Sequence, residues 1–233
     1  MIDRRIEFEG GALRYREAGA VTAPAVVLLH QLGRDSRDWD EVAGALADRF
    51  RVLALDLRGH GESPRTPPFT FEQMRDDVVR FVDALHLERF SLIGHSMGGT
   101  VAFLLAQAWP DRVDTLIVED TPPPTGANLP EPPAELPAAV PFEWALVRTI
   151  VRQLNAPDPS WWNRLPDIRA RTLIVGGGAT SPIPQDRLKD VAALIPNARL
   201  VTIDGAGHLV HATKPDAFIP LVRDFLLQQQ ERR

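Results

Sequence analysis

The 233-residue chain contains no cysteine. That absence excludes a disulfide framework, thiolate-ligated metal sites and a cysteine nucleophile, and it fits a reducing compartment. Lysine is almost missing as well, since 24 of the 26 basic residues are arginine, a compositional bias that carries no mechanism. There is no excess of positive charge: the net charge of −5 and a pI near 5.7 give no overall electrostatic drive toward nucleic acid. No run of roughly 18 apolar residues occurs, so no membrane span is expected. The opening Met1-Ile2-Asp3-Arg4-Arg5 lacks the uninterrupted apolar core of a secretory signal. The expectation is a soluble, cytoplasmic protein with neither nucleic acid nor membrane as a partner, and no internal repeat is visible.

What is present is ordinary for a globular chain, with 44% hydrophobic and 24% charged residues. The length allows one domain or at most two. Arg4 to Phe8 and Ala12 to Glu17, separated by Gly10-Gly11, read as a β-hairpin. Ala25 to Leu29 is wholly apolar, the signature of a strand buried on both faces. Val52 to Leu55, Phe90 to Ile93, Val113 to Val118, Thr172 to Val175 and Leu200 to Ile203 are further strands. Between them lie stretches with apolar residues at three- and four-residue spacing. Trp39, Val42, Ala43, Leu46 and Phe50 follow Ser36 as a candidate cap. Phe71 to Leu85 follows Thr70, which forms a capping box with Gln73. Met97 to Trp109, Gln185 to Leu194 and Pro215 to Gln229 complete the helices. Strands alternating with helices predict an α/β fold built on a mostly parallel sheet, with helices on both faces.

One stretch breaks the alternation. Eleven of the 21 prolines fall between Pro122 and Pro166. Proline lacks the amide hydrogen that a sheet interior requires, so this stretch reads as an insertion over the sheet rather than part of it. The periodic run Phe142 to Leu154 predicts at least one helix within it. The resulting division is a core of residues 1–121 and 167–233 with a cap or lid at 122–166.

Gly94-His95-Ser96-Met97-Gly98 matches the nucleophile-elbow pattern G-x-S-x-G, with a strand before it and a helix after it. A sharp strand-to-helix turn strains the serine backbone, and neighbours bearing Cβ atoms would clash. Serine needs a base to remove its proton. Of six histidines, His95 lies inside the elbow, His86 ends a helix, His60 sits in a glycine-rich loop and His30 ends a strand. His208 follows Gly205-Ala206-Gly207, after the last strand, where the chain order nucleophile, acid, histidine requires the base. His211 is a second choice that packs locally.

These residues resemble the α/β-hydrolase superfamily: Gly-His-Ser-Met-Gly-Gly at 94–99, Leu55-Asp56-Leu57-Arg58-Gly59-His60-Gly61-Glu62-Ser63, and Gly205-Ala206-Gly207-His208 are all typical of it. The matches span about residues 5 to 227. The resemblance implies an eight-stranded sheet, a cap where the prolines cluster and no metal or organic cofactor. It also implies an aspartate soon after the strand Thr172 to Val175, and here the chain departs. Gly176-Gly177-Gly178-Ala179-Thr180-Ser181-Pro182 has no carboxylate, and Asp186 lies inside the next helix. Some members carry the acid after the preceding strand, which here ends in Glu119-Asp120. Strand alternation sends those two to opposite faces. Asp120 is the favoured acid and Glu119 the alternative, with Asp186 or no direct acid as further possibilities. The oxyanion hole is expected from the amides of Met97 and Leu32, the latter in the loop where Gln31 replaces the family's usual glycine. Gln31, Trp144 and Trp161 are the candidate substrate-binding residues.

These roles imply a serine hydrolase acting on a carboxylic ester, thioester or lactone of a small to medium acyl group through an acyl-enzyme. A cofactor-free perhydrolase or a carbon–carbon bond hydrolase would use the same triad, and a non-catalytic ligand-binding homologue is the alternative from another class. The partner expected is a small-molecule acyl substrate. Apolar cap surface leaves a homodimer open.

Overall fold

Unbroken apolar runs become the middle of one sheet. The computed structural model describes residues 1–8, 11–135 and 139–230. Within them lie the strands β1 (Ile2–Phe8), β2 (Gly11–Ala18), β3 (Ala25–Leu29), β4 (Arg51–Leu55), β5 (Phe90–His95), β6 (Val113–Glu119), β7 (Arg171–Gly176) and β8 (Ala198–Thr202). They form one eight-stranded sheet in the order β1-β2-β4-β3-β5-β6-β7-β8. β1, β2 and β4 pair antiparallel, and every pairing from β4 through β3 to β8 is parallel. β1 and β2 are the expected hairpin; Gly10 of its turn lies outside the described residues.

The helices are α1 (Asp40–Leu46), α2 (Phe71–Ala84), α3 (Met97–Ala108), α4 (Ala145–Asn155), α5 (Ser160–Asn163), α6 (Gln185–Leu194), α7 (Val210–Thr213) and α8 (Pro215–Gln230). They cover both faces, which is why β3 in the middle of the sheet is apolar at every position. Alternate residues of one strand serve different cores. Val26 and Leu28 of β3 pack with Val42 and Leu46 of α1 and Phe218 and Val222 of α8. Val27 and Leu29 pack on the other face with Phe71 and Met74 of α2, Val101 of α3 and Leu188 of α6. Each such fully buried side chain contributes about 1.5–3 kcal/mol of transfer free energy.

Local chemistry fixes the ends. Thr70 Oγ1 accepts from Gln73 N at 3.1 Å to cap α2, as its sequence predicts. Ahead of α1 the structure corrects the expected cap. Asp35 rather than Ser36 accepts the Arg37 amide, at 2.9 Å, and opens a 3-10 turn at Ser36–Trp39. Ser36 is buried and gives its own amide to Asp56 Oδ1 at 2.8 Å. Among the described residues no helix is long and apolar enough to cross a membrane.

Between β6 and β7 the chain leaves the sheet. Residues 121–135 carry no helix or strand; α4 and α5 follow. α4 starts three residues later than the periodicity from Phe142 suggests and buries Leu146, Val147 and Ile150. Polar ties dock it on the sheet's neighbours. Phe71 N donates to Gln153 Oε1 at 2.9 Å, Gln153 Nε2 to Glu72 at 2.7 Å, and Glu143 N to the Gly59 carbonyl at 2.6 Å.

Candidate active site

β5 ends at His95 and α3 begins at Met97, so Ser96 alone makes the turn. Its backbone sits at φ +52°, ψ −115°, a conformation that costs a non-glycine residue about 1–3 kcal/mol. The turn is possible because the elbow glycines let backbones touch. A Cβ at Gly98 would stand 2.3 Å from the Leu29 carbonyl oxygen, and one at Gly94 2.4 Å from that of Gly98. The Gly98 amide donates to the His30 carbonyl at 3.2 Å, tying the elbow to the end of β3.

Ser96 and His208 line one cavity of about 250 Å³. Leu32, Phe71, Met97, Thr100, Thr121, Pro122, Pro124, Ile150, Leu154 and Ile183 form the rest of its wall. Asp120 terminates β6 in a left-handed conformation, φ +44°, and is fully buried. His208 donates from Nδ1 to Asp120 Oδ2 at 2.9 Å. Three other donors surround that carboxylate: Gly177 N to Oδ1 at 2.9 Å, Gln185 Nε2 to Oδ1 at 3.1 Å, and the Ser181 hydroxyl to Oδ2. Burial disfavours the carboxylate charge, but the bonds from His208, Ser181, Gly177 and Gln185 outweigh it and hold Asp120 below its usual range. An ionised Asp120 accepts only, so the shared proton resides on His208 Nδ1 and leaves Nε2 free to act as base. Close backbone approach makes this contact. A Cβ at Gly177 would fall 1.8 Å from the Gly207 carbonyl oxygen, and the Gly207 amide donates to the Gly177 carbonyl at 3.0 Å.

Glu119 turns the other way. Its carboxylate accepts the His211 amide at 2.9 Å and the His211 ring Nδ1 at 2.8 Å, with both residues buried. Asp38 stands 3.6 Å from the opposite ring nitrogen, and Trp39 stacks on the imidazole at 4.4 Å. Burial works against a charge on His211, yet Glu119 and Asp38 outweigh it and raise its pKa to about 10. His95 adjoins this pair and donates from Nε2 to the His208 carbonyl at 2.8 Å. His95, Glu119 and His211 bring candidate ligand atoms within 4.8 Å of one another. As arranged, however, the Glu119 oxygens are taken up by His211, which makes the set a buried ion pair. Asp186 is exposed on α6 and pairs with Lys189 at 2.7 Å, so its carboxylate serves the surface.

The loop after β3 is braced by two uncharged imidazoles. His30 accepts the Leu57 amide at Nε2, at 3.0 Å, and donates from Nδ1 to the Gln31 carbonyl at 2.7 Å. His60 accepts the Gly33 amide at 3.0 Å and donates to the Arg58 carbonyl at 3.1 Å. Burial lowers the pKa of both, that of His60 to about 3. Leu32, in this braced loop, lines the cavity together with Met97. As the first residue of α3, Met97 has an amide that lacks an intrahelical acceptor.

The structure therefore brings Ser96, His208, Leu32 and Met97 to one cavity, with Asp120 behind His208. It does not bring Gln31, Trp144 or Trp161 to the described wall of that cavity. The Trp144 indole donates to the Pro133 carbonyl at 2.8 Å, and Trp161 is buried edge-on against Phe71, its ring 5.5 Å away. Phe71 rather than Trp161 reaches the cavity. Ser181 and Gln185 were not singled out by the motif pattern. A signal was available in the departure itself, because a loop that lacks the usual carboxylate still contacts the acid of the adjacent strand.

A family model described as alpha/beta hydrolase fold matches residues 24–164. The sn-1-specific diacylglycerol lipase ABHD11 of Mus musculus is 30% identical, covering 89% of this chain and 82% of that protein. Esterase YbfF of Escherichia coli (strain K12) is 27% identical, covering 86% and 92%. Among solved structures, a thermophilic esterase from Thermogutta terrifontis with malate bound is 26% identical with a TM-score of 0.81, covering 98% of this chain and 99% of that one. With its elbow, sheet order and family match in agreement, this chain belongs to the α/β hydrolase fold family.

Proposed function

We propose that the protein is a serine hydrolase that cleaves a carboxylic ester, or its thioester or lactone relative, of a small to medium uncharged acyl group. The observation that carries this reading is the Asp120–His208 pair facing the cavity into which the Ser96 elbow opens. In the first half-reaction Ser96 Oγ bonds to the acyl carbon while its proton passes to His208 Nε2. The tetrahedral oxyanion lies against the amides of Leu32 and Met97, each such donor being worth about 3–4 kcal/mol in the transition state. Collapse breaks the bond to the leaving alcohol, which takes the proton from His208. Water then attacks the acyl-enzyme, gives its proton to His208, and Ser96 is regenerated as the acid departs. Asp120 holds the imidazole in the required tautomer and stabilises its cationic form.

The nature of the wall argues for the acyl class. Among the described residues the lining is apolar apart from Ser96, Thr100, Thr121 and His208 and includes no carboxylate, arginine or lysine, so a charged acyl chain would lose its solvation without a partner. Ile150 and Leu154 of α4, within the proline-rich insertion, line this cavity, which fits the reading of that insertion as a cap. The esterase and lipase names of the relatives agree with this reading. A panel of p-nitrophenyl esters from acetate upward, run on the wild type and Ser96→Ala, tests it. Turnover is expected with acetate and butyrate and is abolished in the variant; unchanged turnover in a folded Ser96→Ala protein contradicts the mechanism.

A further inference from the structure

The segment after β7 has no acidic residue between Gly176 and Gln185, yet it wraps the Asp120 carboxylate. We infer that Ser181 and Gln185 are positioning residues for the hydrolytic reaction, which fix the rotamer and the ionised state of Asp120 from the strand next to its own. The inference rests on the serine-hydrolase reading.

The hydrogen-bond arithmetic is specific. Asp120 Oδ2 receives His208 Nδ1–H and the Ser181 hydroxyl; Oδ1 receives Gly177 N–H and Gln185 Nε2–H. The Ser181 oxygen is itself oriented, because it accepts the Ile183 amide at 3.0 Å, which aims its single proton at Asp120. Gln185 is also held at both ends: its Oε1 accepts the Gly178 amide at 3.2 Å, and its Nε2 donates to the Ile183 carbonyl at 2.9 Å. Donors on both oxygens hold a carboxylate in one rotamer and favour its ionised form, which is what a residue orienting an imidazole must have. The charged or titratable groups around Asp120 are His208 in contact, His95 with its ring 4.7 Å from His208, and Glu119 with His211 on the far face of β6. Asp204 lies beside Gly178, and α6 sends Asp186 outward to Lys189. None of the others donates a hydrogen bond to Asp120 among the described residues, so the two uncharged side chains and Gly177 carry that task with His208.

The test compares wild type, Ser181→Ala, Ser181→Thr and Gln185→Leu as full-length proteins, by ester kinetics and by 13C NMR titration of the Asp120 carboxyl. Ser181→Ala is expected to lower kcat by about 10-fold, the worth of one hydrogen bond to a charged group, with KM little changed. The Asp120 titration moves to higher pH in the same variant. Ser181→Thr, which keeps the hydroxyl, restores both, and Gln185→Leu repeats the direction of Ser181→Ala at the other oxygen. Wild-type kcat and an unmoved Asp120 titration in folded Ser181→Ala and Gln185→Leu overturn the inference while leaving the hydrolase reading standing. A wild type with no Ser96-dependent turnover removes the catalytic role itself, and the NMR titration then still reports whether the cradle holds Asp120 ionised.

Discussion

Neighbouring carboxylates at the end of β6 do opposite jobs. Asp120 accepts from His208 at the cavity, while Glu119 is locked to a protonated His211 in the buried layer beneath. Replacing Asp120 by Asn removes the acceptor that fixes the imidazole tautomer, and kcat is expected to fall by about 10³–10⁴ in a protein that still folds. Replacing Glu119 by Gln leaves His211 with Asp38 as its remaining carboxylate partner, and stability is expected to fall by at most about 3–5 kcal/mol, the cost of a buried charge left wholly unpaired. Chemical denaturation measured beside ester turnover separates the two, because Glu119→Gln lowers the midpoint while its folded fraction keeps turning over. If Glu119→Gln alone removes turnover, the acid assignment is wrong. The alternation rule reads from sequence that only one of this pair can face His208, and the chain order singles out His208 itself. Ser181 and Gln185 are not legible in that way. They lie 61 and 65 residues from Asp120 and meet it only because β7 pairs with β6. Tryptophans in the proline-rich segment are equally mute, since an indole that donates to a carbonyl and one that lines a pocket read alike.

At the scale of elements, the elbow is a contact between backbones rather than a property of the serine. Gly98→Ala would set a methyl 2.3 Å from the Leu29 carbonyl oxygen, and neither backbone has room to retreat inside a packed sheet. Thermal unfolding should drop sharply and fluorophosphonate labelling of Ser96 should fall with it. Gly44, inside α1 with nothing within 4 Å of an added Cβ, is the control. Its replacement by Ala should stabilise by about 0.5–1 kcal/mol, and equal effects at the two positions would contradict this account of the elbow. Elements whose apolar residues run unbroken were the readable ones: β3 spans Ala25–Leu29, the same residues as its apolar run. β8 runs Ala198–Thr202 rather than Leu200–Ile203, because an edge strand is half exposed and its apolar residues no longer mark its ends. The cap before α1 lies one residue from the one the sequence suggests, because Asp35 and Ser36 are both good cap types and only the hydrogen bond of the Ser36 amide to Asp56 decides between them.

Across the whole molecule, the buried pair beneath the site ties stability to pH. The folded pKa of His211 is raised to about 10 from the ordinary 6.5, so its contribution is complete below 6.5 and is lost as pH rises through about 10. Burial opposes the charge on Glu119, but His95 and His211 outweigh it and depress its pKa, so its contribution is complete above the ordinary 4.5 and is lost as pH falls through the lower folded value. Stability from this pair should therefore hold a plateau between about pH 4.5 and 6.5 and decline on the alkaline side from there to about 10, as His211 loses its proton. Urea midpoints across that range check this, and Glu119→Gln should weaken the alkaline decline; a wild-type midpoint that keeps rising through pH 10 contradicts the pairing.

The central claim is that Ser96 becomes acylated with His208 as its base. Intact-mass measurement after treatment with a fluorophosphonate, followed by peptide mapping, tests it most directly. One adduct on Ser96, appearing in step with loss of ester turnover and absent from Ser96→Ala, is the predicted result. No adduct on a folded, wild-type protein, or an adduct at another residue with turnover intact, would contradict it.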